Sequence, residues 1–307
     1  MRVAPPVVEA PFATALVELA ERRSDLVVLS ADLSKYTDVL PFAEAFPDRF
    51  GQVGMAEQNM MGIAGGLAKT GFLPIAVTYG VFATRRAYDQ AAMALATGRS
   101  RGIVVAFLPG VTTPFKATHQ AVDDVAIMRA LPGMTVIDPA DATEVAAALA
   151  AAVQHDSTVY LRSLRGSVVQ LFDPVDFQFR IGAPRELLPG DEIGLAGSGL
   201  GTQWAMEAAE LLGAGVGLLH VPTLKPLDVN SVASFCSRFP VVTTVENHSV
   251  VGGLAAAMAE VVAREGLGTR INALGVPDRW APAGSLPYIR AQLALDAEGI
   301  ARSAAAA

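Results

Sequence analysis

Short apolar runs rich in β-branched residues alternate along the chain with longer segments of helical period, and this alternation restricts the fold more than any other feature. In the first half the candidate strands are continuously apolar, as parallel strands buried on both faces are. They are Leu26–Ser30, Leu73–Thr78, Gly102–Leu108, Met134–Ile137 and Thr158–Arg162. Helices are expected between them, near Phe12–Arg22, Glu57–Lys69, Val81–Thr97, Ala121–Ala130 and Ala142–Gln154. The pattern predicts an α/β fold with a parallel sheet covered by helices.

The pattern is interrupted between residues 172 and 189, where prolines and charged residues replace the helical period. Such a stretch is typical of a linker between domains. A second α/β domain is expected after it. Its strands are expected near Glu192–Ala196, Val216–Val221, Val241–Glu246 and Ile271–Leu274, and its helices near Thr202–Leu212, Val229–Phe235 and Gly252–Arg264. The last residues, Ala304 to Ala307, are expected to form a frayed tail.

Composition argues against several classes of function. The net charge of −7 gives no electrostatic reason to bind nucleic acid. A single cysteine excludes an internal disulfide framework and suits a reducing cytoplasm. The N-terminus does not resemble a signal peptide, and no stretch approaches the roughly 20 apolar residues of a membrane span. The four histidines are scattered without the spacing of metal ligands, so no metal site is predicted in this chain.

Glu57 is the first candidate catalytic residue. It follows Gly54-Met55-Ala56 and leads a helical segment that is nearly uncharged. A carboxyl group in apolar surroundings is expected to have a raised pKa and to hold a proton near neutrality. The alternative is an ordinary carboxylate at a helix N-terminus, which the helix dipole stabilises.

Other polar and aromatic residues follow predicted strands, where ligands of parallel sheets bind. Tyr79 and Phe82 can stack on a flat heterocycle or simply fill the core. His119 can exchange a proton with a substrate hydroxyl or cap a helix. Arg162 and Arg165 suit a fork around a phosphate or carboxylate, or a basic pair at the surface.

In this order, the motifs resemble the C-terminal half of transketolase. The resemblance is closest to the separately encoded second subunits of split transketolases, and it extends more distantly to deoxyxylulose-phosphate synthases. It runs from Ser30-Ala31-Asp32-Leu33 to about Gly253 and is carried by GMAEQNMMGIAGGLA, RAYDQ, ATHQAVDDVAIMRALPGM, DPADATE and VENHSVVGG. It implies a pyrimidine-binding domain at residues 1–171, a linker at 172–189 and a transketolase C-terminal domain at 190–307.

The resemblance also implies a thiamine diphosphate site. Glu57 matches the glutamate that bonds N1′ of the aminopyrimidine and so promotes loss of the thiazolium C2 proton. Tyr79 and Phe82 match the aromatic wall of the pyrimidine pocket, and Asp32 and Leu33 belong to the matched stretch beside the cofactor.

A sugar site is implied next to the cofactor. His119 matches the histidine that faces the hydroxyls of the sugar donor. Arg162 and Arg165 match the region that holds the sugar phosphate. Lys116 lies in the loop before His119, and we expect it to contact substrate as well.

The half of transketolase that binds the diphosphate is absent from this sequence, which lacks the Gly-Asp-Gly…Asn signature of that half. Mg²⁺ takes an oxygen shell of diphosphate and carboxylate ligands. The resemblance therefore implies that an N-terminal partner subunit binds the Mg²⁺. It further implies an α₂β₂ heterotetramer with active sites at chain interfaces.

Two departures from the transketolase pattern concern the substrate. The loop Pro109–Lys116 lacks the usual acid, and Phe107-Leu108 stands where an upstream histidine is usual. These groups help to select the hydroxyl stereochemistry of ordinary sugar phosphates. Transfer of a two-carbon ketol unit from a ketose to an aldose is therefore expected, with a pair of sugars other than the standard pentose phosphates.

Two alternative functions share much of this pattern. The β subunit of a 2-oxoacid dehydrogenase has the same fold, but THQAVDD and RAYDQ favour the transketolase interpretation. A non-catalytic regulatory subunit is the second alternative, and the retention of Glu57 argues against it.

Overall fold

A computed structural model describes residues 5–98 and 100–307, which separate into two compact units. Within the described residues, the first unit comprises 5–109 and 128–181, and the second comprises 110–127 and 182–307. The first domain expected from the sequence, residues 1–171, therefore differs from the first unit in two places: the unit omits segment 110–127 and continues to residue 181. That segment packs with the second unit, where Val111 and Val122 are part of the hydrophobic core.

The first unit is built on parallel strands. Its elements are β1 (Val7–Glu9), α1 (Pro11–Arg22), β2 (Leu26–Ser30), α2 (Leu40–Ala45), β3 (Phe50–Gln52), α3 (Glu57–Lys69), β4 (Leu73–Tyr79), α4 (Gly80–Arg85), α5 (Tyr88–Gln90), β5 (Ile103–Phe107), α6 (Asp124–Ala130, which begins in the second unit), β6 (Met134–Ile137), α7 (Ala142–Gln154), β7 (Thr158–Ser163) and β8 (Ser167–Val169). Within this unit the strand order is β6-β7-β5-β4-β2-β3, and each pair is parallel. Every residue of β4, β5 and β7 is buried, as their continuous apolar runs predicted.

The ends of several elements agree with those predicted from the sequence, because local chemistry marks them. Asp141 begins α7, where its side chain accepts the backbone N–H of Glu144 across 2.7 Å. The other carboxylate oxygen of Asp141 accepts the N–H groups of Leu171 and Phe172 at 2.7 and 2.8 Å. Burial raises the pKa of Asp141, and these hydrogen bonds oppose that rise. One aspartate thus caps α7 and also holds the chain at Leu171 and Phe172, just after β8.

The prediction of a single helix over Val81–Thr97 is wrong, because the segment divides into α4, α5 and a π-helical turn at Ala91–Ala96. The wider turn brings Ala94 against α3. A Cβ added at Gly65 would lie 2.6 Å from the Cβ of Ala94, so only glycine permits this approach. The expected helix Ala121–Ala130 is also shorter and begins at Asp124, because Ala121 forms a β-bridge with Gly110.

The second unit contains a mixed sheet. Its elements are β9 (Arg185–Pro189), β10 (Ile193–Gly197), α8 (Leu200–Leu212), β11 (Val216–His220), β12 (Thr223–Lys225), α9 (Val229–Cys236), β13 (Val241–Ser249), α10 (Leu254–Arg264), β14 (Arg270–Val276), α11 (Leu286–Gln292) and α12 (Ala297–Ala305). The strand order is β14-β13-β10-β11-β9, in which β9 is antiparallel and the other pairs are parallel.

Two sequence predictions fail in the second unit. The expected linker at 172–189 contains strand β9 in its last five residues. The expected frayed tail is wrong, because α12 continues to Ala305 and Ala304 is 8% exposed in the same core as Trp204. In the part of the chain that the structure describes, no helix is long and apolar enough to span a bilayer.

Candidate functional site

Glu57 begins α3 at the carboxyl edge of the first unit's sheet. The side chain is only 4% exposed, and its Oε1 accepts a hydrogen bond from Nη1 of Arg86 at 2.9 Å. The Arg86 side chain is 48% exposed, so one partner of the pair is buried and the other reaches solvent. The apolar setting predicted for Glu57 is therefore incomplete, because the cation of Arg86 lies against the buried carboxylate.

Two aromatic rings lie beside this ion pair. Tyr79 ends β4 and Phe82 lies in α4, and their ring centroids are 5.8 Å apart with planes at 29°. The guanidinium carbon of Arg86 lies 3.8 Å from the centroid of the Phe82 ring. Arg86 thus links Glu57 to Phe82, and the Phe82 ring lies beside that of Tyr79. The sequence did contain a signal for the Arg86–Phe82 contact, because side chains four residues apart are neighbours on a helix.

Tyr79 also interacts with Arg165. Burial raises the pKa of the Tyr79 hydroxyl, while the charge of Arg165 and a hydrogen bond from it lower that pKa in part. Arg165 donates to the backbone oxygen of Tyr36 at 3.1 Å, and Gly166 N–H donates to Asp38 Oδ2 at 2.8 Å. Arg165 therefore lies at the same edge of the sheet as Tyr79, in a loop held by these contacts.

Arg162 occupies a different setting from Arg165. It is 1% exposed and donates to Asp138 Oδ2 across 3.2 Å. A buried arginine paired with a buried aspartate is typical of a structural ion pair, since an unpaired charge there would be costly. The burial of Arg162 in this pair argues against the fork with Arg165 that the sequence suggested, and it favours a structural role for Arg162.

Asp32 and Leu33 follow β2, whose carboxyl end lies beside that of β4. The backbone of Asp32 has a φ of 60°, a left-handed conformation that is uncommon outside glycine. Its N–H donates to Gln52 Oε1 at 2.6 Å, and Gln52 Nε2 donates to Ser34 Oγ at 2.8 Å. These bonds hold the loop in place at the edge of the sheet that carries Tyr79.

His119 and Lys116 lie in the second unit, so the predicted site residues are divided between the two units. A single turn joins them, in which His119 N–H donates to the Lys116 oxygen at 3.0 Å. The His119 ring lies 5.2 Å from the ring of Phe115, and its Nδ1 is 2.9 Å from Thr118 Oγ1. The ring nitrogen of His119 is thus placed by a neighbouring hydroxyl.

The motif VENHSVVGG has a role that the sequence did not reveal, because it holds the segment 110–127. Asn247 Oδ1 accepts the N–H of Val111 at 2.9 Å. His248 Nε2 accepts the N–H of Ala126 at 3.3 Å, and Ser249 N–H donates to the oxygen of Val122 at 2.8 Å. The segment that carries Lys116 and His119 is therefore held at both ends by β13.

The buried carboxylate of Glu246, in the same motif, holds the start of α10. Glu246 accepts the N–H groups of Leu254 and Ala255 at 2.7 and 3.0 Å, which satisfies the start of α10. A Cβ at Gly253 would lie 1.8 Å from Glu246 Oε2 and 2.7 Å from His248 Nδ1, so no larger residue fits. In the described residues, no group of three or more His, Cys, Asp or Glu side chains is arranged to hold a metal ion.

Comparison with known proteins identifies the family. Residues 6–169 match the transketolase pyrimidine binding domain, and residues 183–300 match the transketolase C-terminal domain. The chain therefore belongs to the transketolase family and has the α/β domains of a split transketolase-type subunit, as its motifs predicted.

Relatives cover nearly the whole chain. An uncharacterized transketolase family protein of Sinorhizobium fredii is 44% identical over 92% of this chain and 84% of its own length. The 6-deoxy-6-sulfo-D-fructose transketolase subunit SqwH of a Clostridium species is 36% identical over 94% of this chain and 90% of its own length. A 1-deoxy-D-xylulose-5-phosphate synthase of Geobacter sulfurreducens is 34% identical over 94% of this chain, which spans 46% of that enzyme.

A solved structure shows the same arrangement of elements. The inactive β4 tetramer of a split-gene transketolase aligns with a TM-score of 0.87 and 34% identity. The alignment covers 97% of this chain and 96% of that one.

Proposed function

We propose that this chain is the pyrimidine-binding subunit of a thiamine diphosphate-dependent transketolase that moves a two-carbon ketol unit between sugars. The observation that carries the proposal is the contact of one planar side chain with both Glu57 and Phe82. The Arg86 guanidinium is flat and rich in N–H groups, and it bonds the carboxylate at 2.9 Å while lying over the ring at 3.8 Å. An aminopyrimidine ring has the same flatness and hydrogen-bonding character, so these residues fit that half of the cofactor.

Bound thiamine diphosphate would supply the carbanion that accepts the ketol unit, as cofactors carry the difficult chemistry in such enzymes. This chain would supply the groups around it. Glu57 would share a proton with N1′ of the pyrimidine, and Phe82 and Tyr79 would form its aromatic wall. The loop of Asp32 and Leu33 would border the cofactor, and His119 would exchange a proton with a hydroxyl of the donor.

The diphosphate and its metal require a second chain. The sequence lacks the Gly-Asp-Gly…Asn signature, and we assign Mg²⁺ and the diphosphate to an N-terminal partner subunit in an α₂β₂ assembly. The high hydrophobic fraction, 52% against 17% charged residues, supports an assembly in which part of this chain's surface is covered.

The sugar is expected to differ from the standard pentose phosphates. The acid and the upstream histidine of the usual pattern are replaced in the loop Pro109–Lys116 and at Phe107-Leu108. The relative SqwH is named for a sulfonated ketose, which also lies outside the pentose phosphates. We infer a ketose that carries a terminal anion, and Lys116 is a cation available to it.

Reconstitution tests the proposal directly. The chain is combined with an N-terminal subunit that carries the Gly-Asp-Gly…Asn signature, and ketol transfer is measured without any lipoyl protein. Transfer that requires both chains and thiamine diphosphate is expected, with at least a 100-fold loss of kcat in Glu57→Gln, the scale of a general acid–base group. The matched control, Glu44→Gln, alters an exposed carboxylate in the same unit and should retain activity.

Three outcomes would contradict this assignment. Full activity of Glu57→Gln would exclude a catalytic subunit that uses Glu57. Turnover that needs a lipoyl domain would favour the 2-oxoacid dehydrogenase alternative. Tight cofactor binding and turnover by this chain alone would show that no diphosphate-binding partner is required.

A further inference from the structure

A cavity of about 420 Å³ lies wholly within the second unit, beside the turn that begins at Lys116. Its lining includes two cations, Lys116 and Arg279, together with the indole of Trp280 and the amide of Gln292. Among the described residues, no carboxylate belongs to the lining. A concave site with two cations, an aromatic surface and an amide has the composition of a site for a polar anionic ligand.

The two cations are available to a ligand. Across residues 5–98 and 100–307, neither the Lys116 ammonium nor the Arg279 guanidinium has an ion-pair or hydrogen-bond partner for its side chain. Lys116 is also held in a left-handed backbone conformation, with a φ of 58°. Such a conformation is unfavourable for lysine and is often found where function requires it.

Trp280 is 63% exposed, whereas Trp204, the other tryptophan of the chain, is 2% exposed. An exposed indole within a polar cavity offers a flat apolar face to the C–H groups of a sugar, while leaving hydroxyl groups to solvent or amides. The cavity thus combines anion-binding groups with a surface that suits a carbohydrate.

The walls of the cavity are fixed to each other. Gln120 Nε2 donates to the oxygen of Pro282 at 3.1 Å, and Gly284 N–H donates to the oxygen of Pro114 at 3.3 Å. These bonds join the segment that carries His119, at Pro114 and Gln120, to the loop before α11. His119 N–H donates to the backbone oxygen of Lys116 at 3.0 Å. The same turn therefore carries the His119 ring and Lys116, which lines the cavity.

We propose that this cavity binds the phosphate- or sulfonate-bearing end of the sugar whose hydroxyls face His119, which gives the C-terminal domain a part in substrate specificity. This inference rests on the proposed function. The Arg279 guanidinium would form paired hydrogen bonds to the tetrahedral oxyanion, and the Lys116 ammonium would add a second charge. Trp280 would pack against the carbon chain, and Gln292 would bond a hydroxyl.

Steady-state kinetics of the complete complex test this assignment. KM and kcat are measured for a ketose phosphate and for the same ketose without phosphate, with Arg279→Gln and Lys116→Gln. In each variant the KM for the phosphorylated donor should rise at least about tenfold more than the KM for the unphosphorylated donor, the scale of one lost charge-assisted hydrogen bond. Equal changes for both donors would overturn the proposal.

The matched control is Arg264→Gln, which removes a cation of the same unit whose side chain is 75% exposed and lies outside the cavity. It should leave the ratio of the two KM values at the wild-type level. Inorganic phosphate should compete with the phosphorylated donor. If it instead altered turnover of the unphosphorylated donor, the cavity would bind a free anion as an effector, and its assignment to the sugar would be wrong.

Fluorescence of the full-length chain gives a reading independent of turnover. Titration with inorganic phosphate should change the emission of Trp280, and the change should disappear in Trp280→Phe and Arg279→Gln. No response of the wild-type chain would overturn the anion site. If the complex transferred no ketol unit from any donor, the proposed function alone would fail, and the titration would still decide whether the cavity binds an anion.

Discussion

The guanidinium of Arg86 donates a hydrogen bond to the carboxylate of Glu57 across 2.9 Å. The same guanidinium lies 3.8 Å from the Phe82 ring centroid, so it contacts both groups proposed to hold the pyrimidine. A pyrimidine ring that stacked on that face of Phe82 and hydrogen-bonded to Glu57 Oε1 would occupy the space that the Arg86 side chain fills. Arg86 is therefore expected to move when the cofactor binds, and its 48% exposure leaves it a path into solvent.

Replacement of Arg86 should consequently strengthen cofactor binding. In Arg86→Ala no ion pair has to be broken, and Kd for thiamine diphosphate in the complex should fall about fivefold, since a half-exposed pair contributes about 1 kcal/mol. Isothermal titration calorimetry measures this change. Arg22→Ala, which removes an exposed arginine of α1, serves as the control and should leave Kd at the wild-type value. A weaker affinity in Arg86→Ala would show that Arg86 holds Glu57 in its binding geometry.

Much of the first unit could be predicted because its signals are local. β2, β6, α3 and α7 begin and end where the pattern of apolar residues predicted, and Asp141 marks the start of α7 by its side-chain cap. The edge strand β9 carried no such signal, since all of its residues are exposed or half-buried. Local patterning therefore identified the buried strands and missed the edge.

The site was only partly predictable, because its missing parts depend on contacts between distant residues. Arg86 reaches Glu57 from 29 positions along the chain, and Asn247 reaches Val111 from 136 positions. Nothing in the local sequence indicates that segment 110–127 packs with the second unit. Arg162 shows the converse case, because its sequence pattern suggested a phosphate ligand and its burial against Asp138 indicates a structural ion pair.

Asn247 should control the position of the loop that carries His119. Asn247→Ala leaves the buried N–H of Val111 without its acceptor, which is expected to cost about 1–3 kcal/mol of unfolding free energy. Amide hydrogen exchange should increase across residues 110–127, and kcat of the complex should fall. Asn230→Ala, at an exposed position in α9, is the control. Unchanged exchange in 110–127 would show that the other contacts of β13 suffice to hold the segment.

Cys236 should be unreactive in the folded chain. Burial raises the pKa of its thiol to about 11, so at pH 8 the reactive thiolate is a small minority. Labelling by a disulfide reagent should therefore be slow at pH 8 in native protein and fast after unfolding in denaturant. Reaction of native Cys236 at the rate of a free thiol would mean that α9 opens frequently.

Gly253 is expected to be among the least replaceable residues of the second unit. An added Cβ would lie 1.8 Å from Glu246 Oε2, and the carboxylate could not retreat without losing the N–H groups of Leu254 and Ala255. Gly253→Ala should therefore lower the free energy of unfolding by about 3 kcal/mol, as overpacking in a rigid polar site does.

Gly268→Ala is the matched control for this prediction, because no atom lies within 4 Å of a Cβ there and its φ is not positive. That variant should be neutral or slightly more stable, since alanine restricts the unfolded chain. Denaturant unfolding of both variants, followed by circular dichroism, measures the difference. Equal stability of the two variants would contradict the prediction. It would show that the buried Glu246 carboxylate can lose its hydrogen bonds at the start of α10 without cost.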